Sequence, residues 1–385
     1  MHREGARHAP HCAIPPCSTT PCRCADPLLG CTPWLAQATD VTFSGYATIG
    51  VGKVLSGDKH TFYNRECPCF VANYHDVGVY EHSLSFNPDS RFGLQGVFKV
   101  DDQTSFTGQL SAQGGKNFKP EVDWAYISHD LSDTVTLQAG RKRLPLYQYS
   151  DYANVGYAYP WIRPPADLYG WQIVNYNGAN VLYRNAFGDM GVRANAWMGR
   201  EDDPDNRMLG EFYYNSKIDE RWKNIFGSYV ELTFDAFNVR AIYMSNVVDR
   251  FSTDAAGVRT HITDNVRQNF YGLAFGADWH DSVVKAEANQ FKRPAVDDTY
   301  TAALLGVGYR IGNVLPMLTY SRFSESHPPD PSWDEIHHTY TASVRWDIKP
   351  NMALKLQYDQ VSDQTHFTPF VGSAKALAAS VDVVF

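Results

Sequence analysis

Six cations, Arg91, Arg141, Lys142, Arg143, Arg193 and Arg345, fall inside stretches where apolar and polar residues alternate. Two acids, Asp151 and Asp167, fall on an intervening stretch that also carries Tyr157, Trp161 and Arg163. A basic wall facing acids across a narrow aqueous space sets up a transverse field. Such a field orders water and favours solutes with separated charges over apolar ones. Any single arginine of the set reads equally well as a solvated side chain with no selective role, so the cluster carries the argument.

Other constellations are weaker. Ser326, Asp334, His337 and His338 lie close enough in sequence to suggest a nucleophile with its base. With 13 histidines in the chain such neighbours arise by accident, and no nucleophile motif accompanies them. No catalytic residue is therefore assigned. Cys12, Cys17, Cys22, Cys24 and Cys31 crowd near His8 and His11, but no CxxC pair or regular ligand spacing supports zinc there. No metal and no cofactor are expected. Cys67 and Cys69 stand in "ECPCF", and a bond between residues two apart would be strained, so they are expected not to pair with one another. From residue 70 onward there is no cysteine, so no disulfide framework holds the bulk of the chain.

The cations need a scaffold with two unlike faces, and the chain supplies one. From Val41 onward it falls into segments of about 10 residues with period-2 polarity. In "RFGLQGVFKV", Phe92, Leu94, Phe98 and Val100 oppose Arg91, Gln95 and Lys99. In "VRANAWMG", Val192, Ala194, Ala196 and Met198 oppose Arg193, Asn195 and Trp197, and in "ALKLQYDQ", Leu354, Leu356 and Tyr358 oppose Lys355, Gln357 and Asp359. Short connections with turn chemistry ("DDQT", "LSDT", "FGDM", "FDAFN", "HDS", "IGN", "KPN") alternate with longer ones. The longer ones fall near 55–90, 114–120, 144–170, 202–221, 249–268, 293–298, 324–337 and 362–375. Together they imply about sixteen strands with both chain ends on the turn side.

Composition narrows the setting. The chain of 385 residues is 44 % hydrophobic and 20 % charged, yet holds 23 Tyr, 21 Phe and 9 Trp. A net charge of -8 leaves no basic excess to neutralise phosphates, so no nucleic-acid partner is expected. No run of about 18 apolar residues occurs, so a membrane role would use strands. A soluble sandwich would meet water with its polar faces, but here those faces carry mid-strand arginines while the apolar faces end in Tyr and Trp. A propeller would show a blade repeat, and none is visible. The pattern predicts an all-β, up-and-down antiparallel transmembrane barrel with a polar lumen.

The C-terminal "ALAASVDVVF" agrees. Phe385, Val383, Val381, Ala379 and Leu377 share one face, and a closed barrel lets the chain end in a strand without leaving an edge. At the other end, residues 1–38 read as an atypical leader ahead of one barrel domain, 39–385. Ala36 and Ala38 fit a signal cleavage site, but the apolar core that should precede it is missing. Either only the end of a signal peptide survives, or the leader is atypical; both readings start the mature chain at Thr39.

The connection 144–170 is about 27 residues long and holds Tyr147, Tyr149, Tyr152, Tyr157, Tyr159, Trp161 and Tyr169 with Pro160, Pro164 and Pro165. Packing against an inner wall would explain its apolar content and its length. The alternative is a loop packed over a neighbouring subunit. Strict alternation from Val135 places Lys142 in the lumen and Arg141 and Arg143 outside, while Arg91, Arg193 and Arg345 point inward.

"SRFGLQGVF" (90–98), "EVDWAYIS" (121–128), "LQAGRKRLPLYQYSDYANVGYAYPWIRPPADLYG" (137–170) and the strand ending in Phe385 resemble the Gram-negative outer-membrane general porins. The resemblance covers about 39–385. It implies sixteen strands, a third extracellular loop folded into the lumen as a constriction, and passive diffusion of small hydrophilic solutes. It also implies a homotrimer in outer-membrane lipid and lipopolysaccharide, with Phe385, Val383 and Val381 read by the barrel-assembly machinery. A bulge at Gly140 turning Arg141 inward is part of the same expectation. A pore selective for anions or organic acids stays open as the alternative.

Overall fold

The computed structural model describes residues 40–63, 65–365 and 372–385. Residues 1–39, with the expected leader, its five cysteines and the expected cleavage site, lie outside the described residues. Sixteen strands close into one antiparallel barrel, each paired with its neighbours in sequence. They are β1 (Asp40–Gly57), β2 (Arg91–Lys99), β3 (Thr104–Gln113), β4 (Pro120–Asp130), β5 (Val135–Arg143) and β6 (Asn175–Phe187). Next come β7 (Met190–Asp203), β8 (Lys217–Phe234), β9 (Phe237–Thr253), β10 (Arg259–Trp279) and β11 (Ser282–Arg293). The wall ends with β12 (Asp298–Tyr309), β13 (Val314–Ser326), β14 (Ile336–Lys349), β15 (Met352–Asp363) and β16 (Ala374–Val384).

Closure occurs where the alternation demanded a partner for the last strand. β1 and β16 pair from Tyr46 opposite Val384 to Gly57 opposite Ala374. Gly45 and Phe385 then exchange backbone bonds of 2.8 and 3.0 Å. Both ends therefore lie on the turn side, and no sheet edge is left. Phe92, Leu94, Met198, Leu273 and Leu356 are exposed on the outer face, while Trp197, Lys355, Gln357 and Asp359 are buried on the inner one. Phe106, Phe187, Phe234, Trp279, Tyr309, Trp346 and Phe385 are all exposed near the turns, where an aromatic girdle marks the interface. Positive φ at Gly188, Asp235, His280 and Gly312 lets four of the turns reverse the chain tightly.

The wall is uneven in height. β2, β3 and β5 have 9, 10 and 9 residues, whereas β8, β9 and β10 have 18, 17 and 21. Of the expected long connections, 249–268 is largely strand, since β9 runs to Thr253 and β10 begins at Arg259, and 202–221 loses its ends to β7, which runs to Asp203, and β8, which begins at Lys217. Above the lipid both faces of a strand meet water. The period-2 signal fades there although the ladder continues.

A second correction concerns β5. Its pairing with β4 and β6 runs through Gly140 without a register shift, so no bulge is present at that glycine, although its φ is 139°. The irregularity lies one strand earlier, at Asp123, where Gln109 faces Trp124 and Leu110 faces Val122.

Candidate pore constriction

The segment from Leu144 to Val174, between β5 and β6, crosses the lumen. Its Tyr147, Tyr149, Tyr159, Trp161 and Trp171 form one buried cluster with inward wall residues Trp197, Trp222, Phe270, Phe291 and Met317. Trp171 stacks on Phe291 at 3.9 Å and 6°. The barrel thus has an apolar core inside its polar lumen, with each buried aromatic contributing about 2–3 kcal/mol. Gly156 lies close against the wall: a Cβ there would stand 2.1 Å from Asp382 Oδ1 and 2.5 Å from Thr48 Oγ1.

Polar side chains of the wall fasten the loop by its backbone. Arg91 donates to the Ile162 carbonyl at 2.7 Å and to the Tyr159 hydroxyl at 2.6 Å. Arg345 donates to the carbonyls of Tyr157 (2.6 Å) and Tyr159 (3.0 Å), and its guanidinium lies 4.6 Å from the Tyr157 ring. Lys355 reaches Gly156 O at 2.5 Å and Trp161 O at 2.7 Å, and Arg240 reaches Pro145 O at 2.8 Å. Trp161 Nε1 donates to Thr319 (2.9 Å), and Tyr157 OH donates to Pro350 O (2.6 Å). A loop carbonyl buried without such a donor would cost about 1–3 kcal/mol, so these contacts hold one conformation.

Two loop side chains enter the wall in return. Arg163 is buried between Asp89, at 2.5 Å, and Asp359. Asp167 accepts from Ser321 Oγ at 2.6 Å and Thr339 Oγ1 at 3.2 Å, and lies 2.8 Å from His337 Nδ1. Burial acts to raise the Asp167 pKa, but the His337 charge and the hydroxyl donors outweigh it and hold the carboxyl below its ordinary range.

Expected and observed placements now separate. Arg91, Arg193 and Arg345 face the lumen, but the guanidinia of Arg91 and Arg345 are occupied by the loop. Arg193 stays partly open and pairs with Asp151 at 3.3 Å. Lys142 bonds Gln138 and Asn180 (3.1 Å to the latter) and lies 4.6 Å from the Tyr126 ring. Arg141 leaves this group: it pairs with Glu201 at 2.7 Å and donates to the Val122 carbonyl at 3.0 Å. Arg143, which strict alternation from Val135 sends outside, instead lines a lumenal cavity of about 510 Å³ on the turn side of the loop, together with Lys142, Arg184, Arg193 and Asp151, because alternation ends where β5 gives way to the loop.

Lys355, Arg240 and Thr319 also hold the loop, and the local sequence does not mark them for that role. Alternation alone puts Lys355 inward, but nothing local says that it meets a loop some 194 residues away.

The mouth carries a second layer. Two small hairpins of the connection 58–90 bring Phe62, Cys67, Cys69, Val71, Tyr74 and Val77 against Met208 and Phe212 of the segment between β7 and β8. Cys67 and Cys69 are bonded to each other, contrary to expectation; their Cα atoms are 4.5 Å apart, inside the range that a disulfide spans. His337 has Asp167 on one ring nitrogen and Glu335, at 3.1 Å, on the other, and the Tyr74 and Phe323 rings both lie nearly parallel to it, with centroids at 6.2 and 5.1 Å. Its neighbour His338 points the other way, toward Tyr320 and Tyr340. The two histidines therefore build no common site with Ser326. Asp249, His261 and Asp264 approach one another near the outer end of β9 and β10, but Asp249 already holds Lys223.

The same barrel occurs in solved outer-membrane proteins. OmpT of Vibrio cholerae superposes with a TM-score of 0.58 at 13 % identity, over 90 % of this chain and 97 % of that one. The channel DcaP of Acinetobacter baumannii gives 0.58 at 11 %, covering 90 % and 97 %. An anion-selective porin from Comamonas acidovorans gives 0.54 at 12 %, covering 90 % and 99 %. The Vibrio protein has also been crystallised in a trimer form. No curated protein sequence matches the chain. A family model described as Gram-negative porin matches residues 28–366, nearly the whole barrel. With its closed sixteen-stranded wall and its loop-crossed lumen, this chain belongs to the Gram-negative porins, channels of the outer membrane rather than enzymes.

Proposed function

We propose that the channel passes small hydrophilic solutes by passive diffusion past the edge of the inserted loop, with a preference for anions set on its periplasmic side. The observation that carries this reading is the charge on the cavity below the loop. Four cationic side chains, Lys142, Arg143, Arg184 and Arg193, face it with one acidic side chain, Asp151. A low-dielectric wall of one dominant sign raises the local concentration of the opposite ion. Arg91, Arg345, Lys355 and Arg163 contribute less, because their charges are engaged in holding the loop. A trimer, of the kind recorded for the Vibrio relative, and a chain start at Thr39 belong to the same proposal.

Reversal potentials of single channels in a KCl gradient test it. The wild-type channel is expected to favour chloride. Lys142→Gln with Arg193→Gln should move the reversal potential toward potassium selectivity without closing the channel. An unmoved potential overturns the role of this cavity.

A further inference from the structure

Passage of solutes along the lumen makes no use of the bonded pair Cys67 and Cys69. Residues two apart in an extended chain lie ~7 Å from each other, whereas these Cα atoms are 4.5 Å apart, so the bond holds the backbone bent around Pro68. The bend joins the two strand pairs of the mouth layer, 61–66 before it and 70–80 after it. It also rests on the wall: a Cβ on Gly57, the last residue of β1, would stand 2.9 Å from Pro68 Cβ.

The same layer rests on the constriction loop. A Cβ on Gly170 would stand 2.7 Å from Tyr74 Cδ2, and the Tyr74 ring lies nearly parallel to that of His337, the partner of Asp167. A change in the path of 67–69 is thus handed through the second strand pair to Tyr74, and from there to the loop. On its outer side the layer is held more lightly. Arg65 pairs with Glu211 at 2.8 Å, both partly exposed, and Tyr63 OH donates to Tyr213 O at 3.1 Å. Such pairs contribute little, so the strand pair 61–66 can lift by local opening while the barrel stays closed. Cys67 is tied to that pair by its N–H on His60 O at 2.9 Å. It is 7 % exposed against 1 % for Cys69, so lifting uncovers its sulfur first.

We infer that Cys67–Cys69 is a site of reversible thiol–disulfide exchange with small external thiols, and that reducing it loosens the mouth layer above the constriction loop. The thiolate of the external thiol attacks Cys67 Sγ. The bond to Cys69 Sγ breaks, and Cys69 leaves with the electron pair and takes up a proton. A second thiolate attacks the external sulfur of the mixed disulfide, releasing Cys67, which takes up the second proton. Two small thiols become one small disulfide, and their two electrons reside in the two protein thiols. Buried in an apolar layer, those thiols are favoured over thiolates, so the reduced state persists until an external disulfide is supplied. Residues 67 and 69 are then free to spread, and Tyr74 loses its fixed seat on Gly170.

Single channels of the full chain in planar bilayers test this, with reduced and then oxidised glutathione added on the mouth side. Alkylation and mass spectrometry of the peptide that carries both cysteines read the bond. Reduced glutathione is expected to make both cysteines alkylatable and to raise conductance by roughly half, and oxidised glutathione to reverse both changes. Cys67→Ser with Cys69→Ser should show the larger conductance from the start and ignore glutathione. Because glutathione acts on channels already inserted, poor folding of that variant leaves the wild-type measurement decisive. A bond that stays closed in the folded barrel under excess glutathione overturns the exchange site. Reduction with unchanged conductance overturns its coupling to the loop, as does an equal response of the double-serine variant. The conductance arm rests on the passive-channel reading: absence of any channel would count against that reading, while alkylation would still decide the exchange.

Discussion

Arg163 lies between Asp89 and Asp359, with the Phe70 and Tyr80 rings 5.0 and 5.7 Å from its guanidinium. Removing that charge leaves two buried carboxylates without a cation, a change that typically costs about 3–5 kcal/mol. Arg163→Gln should therefore lower the thermal unfolding midpoint and raise both conductance and open-channel noise; a quiet channel of unchanged size would detach this residue from the constriction. Asp167 makes a pH prediction. Its folded pKa lies below the ordinary value of 3.8, so the latch to Ser321, Thr339 and His337 is fully present above that value and is lost as pH falls through the lower, folded one. Open-channel noise should stay flat from neutral pH down to about 4 and rise below it. Noise that rose between pH 7 and 5 would place the sensitive group elsewhere.

At the level of elements, the loop 144–174 acts as a second core. It is held by aromatic packing and by wall cations on its carbonyls. Deleting 150–166 removes Tyr159 and Trp161 and the carbonyls held by Arg91, Arg345 and Lys355, and should raise conductance. If the aperture were set by the layer 58–90 at the mouth instead, conductance would not change. Gly156→Val probes the seating more gently, because its side chain would overlap Asp382 and Thr48. Larger, more variable conductance is expected from it, with the strand content in circular dichroism unaltered. Why the loop crosses the lumen was legible in its tyrosines and prolines. Which wall residues receive it was not, since Arg91, Arg345 and Lys355 are brought to it only by closure of the barrel.

For the whole molecule, the seam between β1 and β16 joins the two ends of the chain, and the Phe385 ring covers Gly45 on the outside. Phe385→Ser should reduce the amount of barrel inserted into outer membranes several-fold and leave the conductance of the inserted fraction intact. Equal insertion would remove Phe385 from assembly. The sequence by itself determined the architecture here: strand number, up-and-down order, the inward and outward faces within the strands and the position of the long loop follow from a period of two between turn residues, and only at a strand's end, as at Arg143, does the alternation fail. Where that period fades, above the lipid in β8 to β10, alternation does not mark the strand ends, because a strand with water on both faces needs none. Tertiary structure decided the roles of the charges. A period of two can send Arg91 and Arg193 to the same lumen, but whether a guanidinium meets a loop carbonyl or open water depends on a segment folded across from another part of the chain. The pairing of Cys67 with Cys69 was decided in the same way, by the backbone path of the 58–90 layer rather than by the spacing of the two residues.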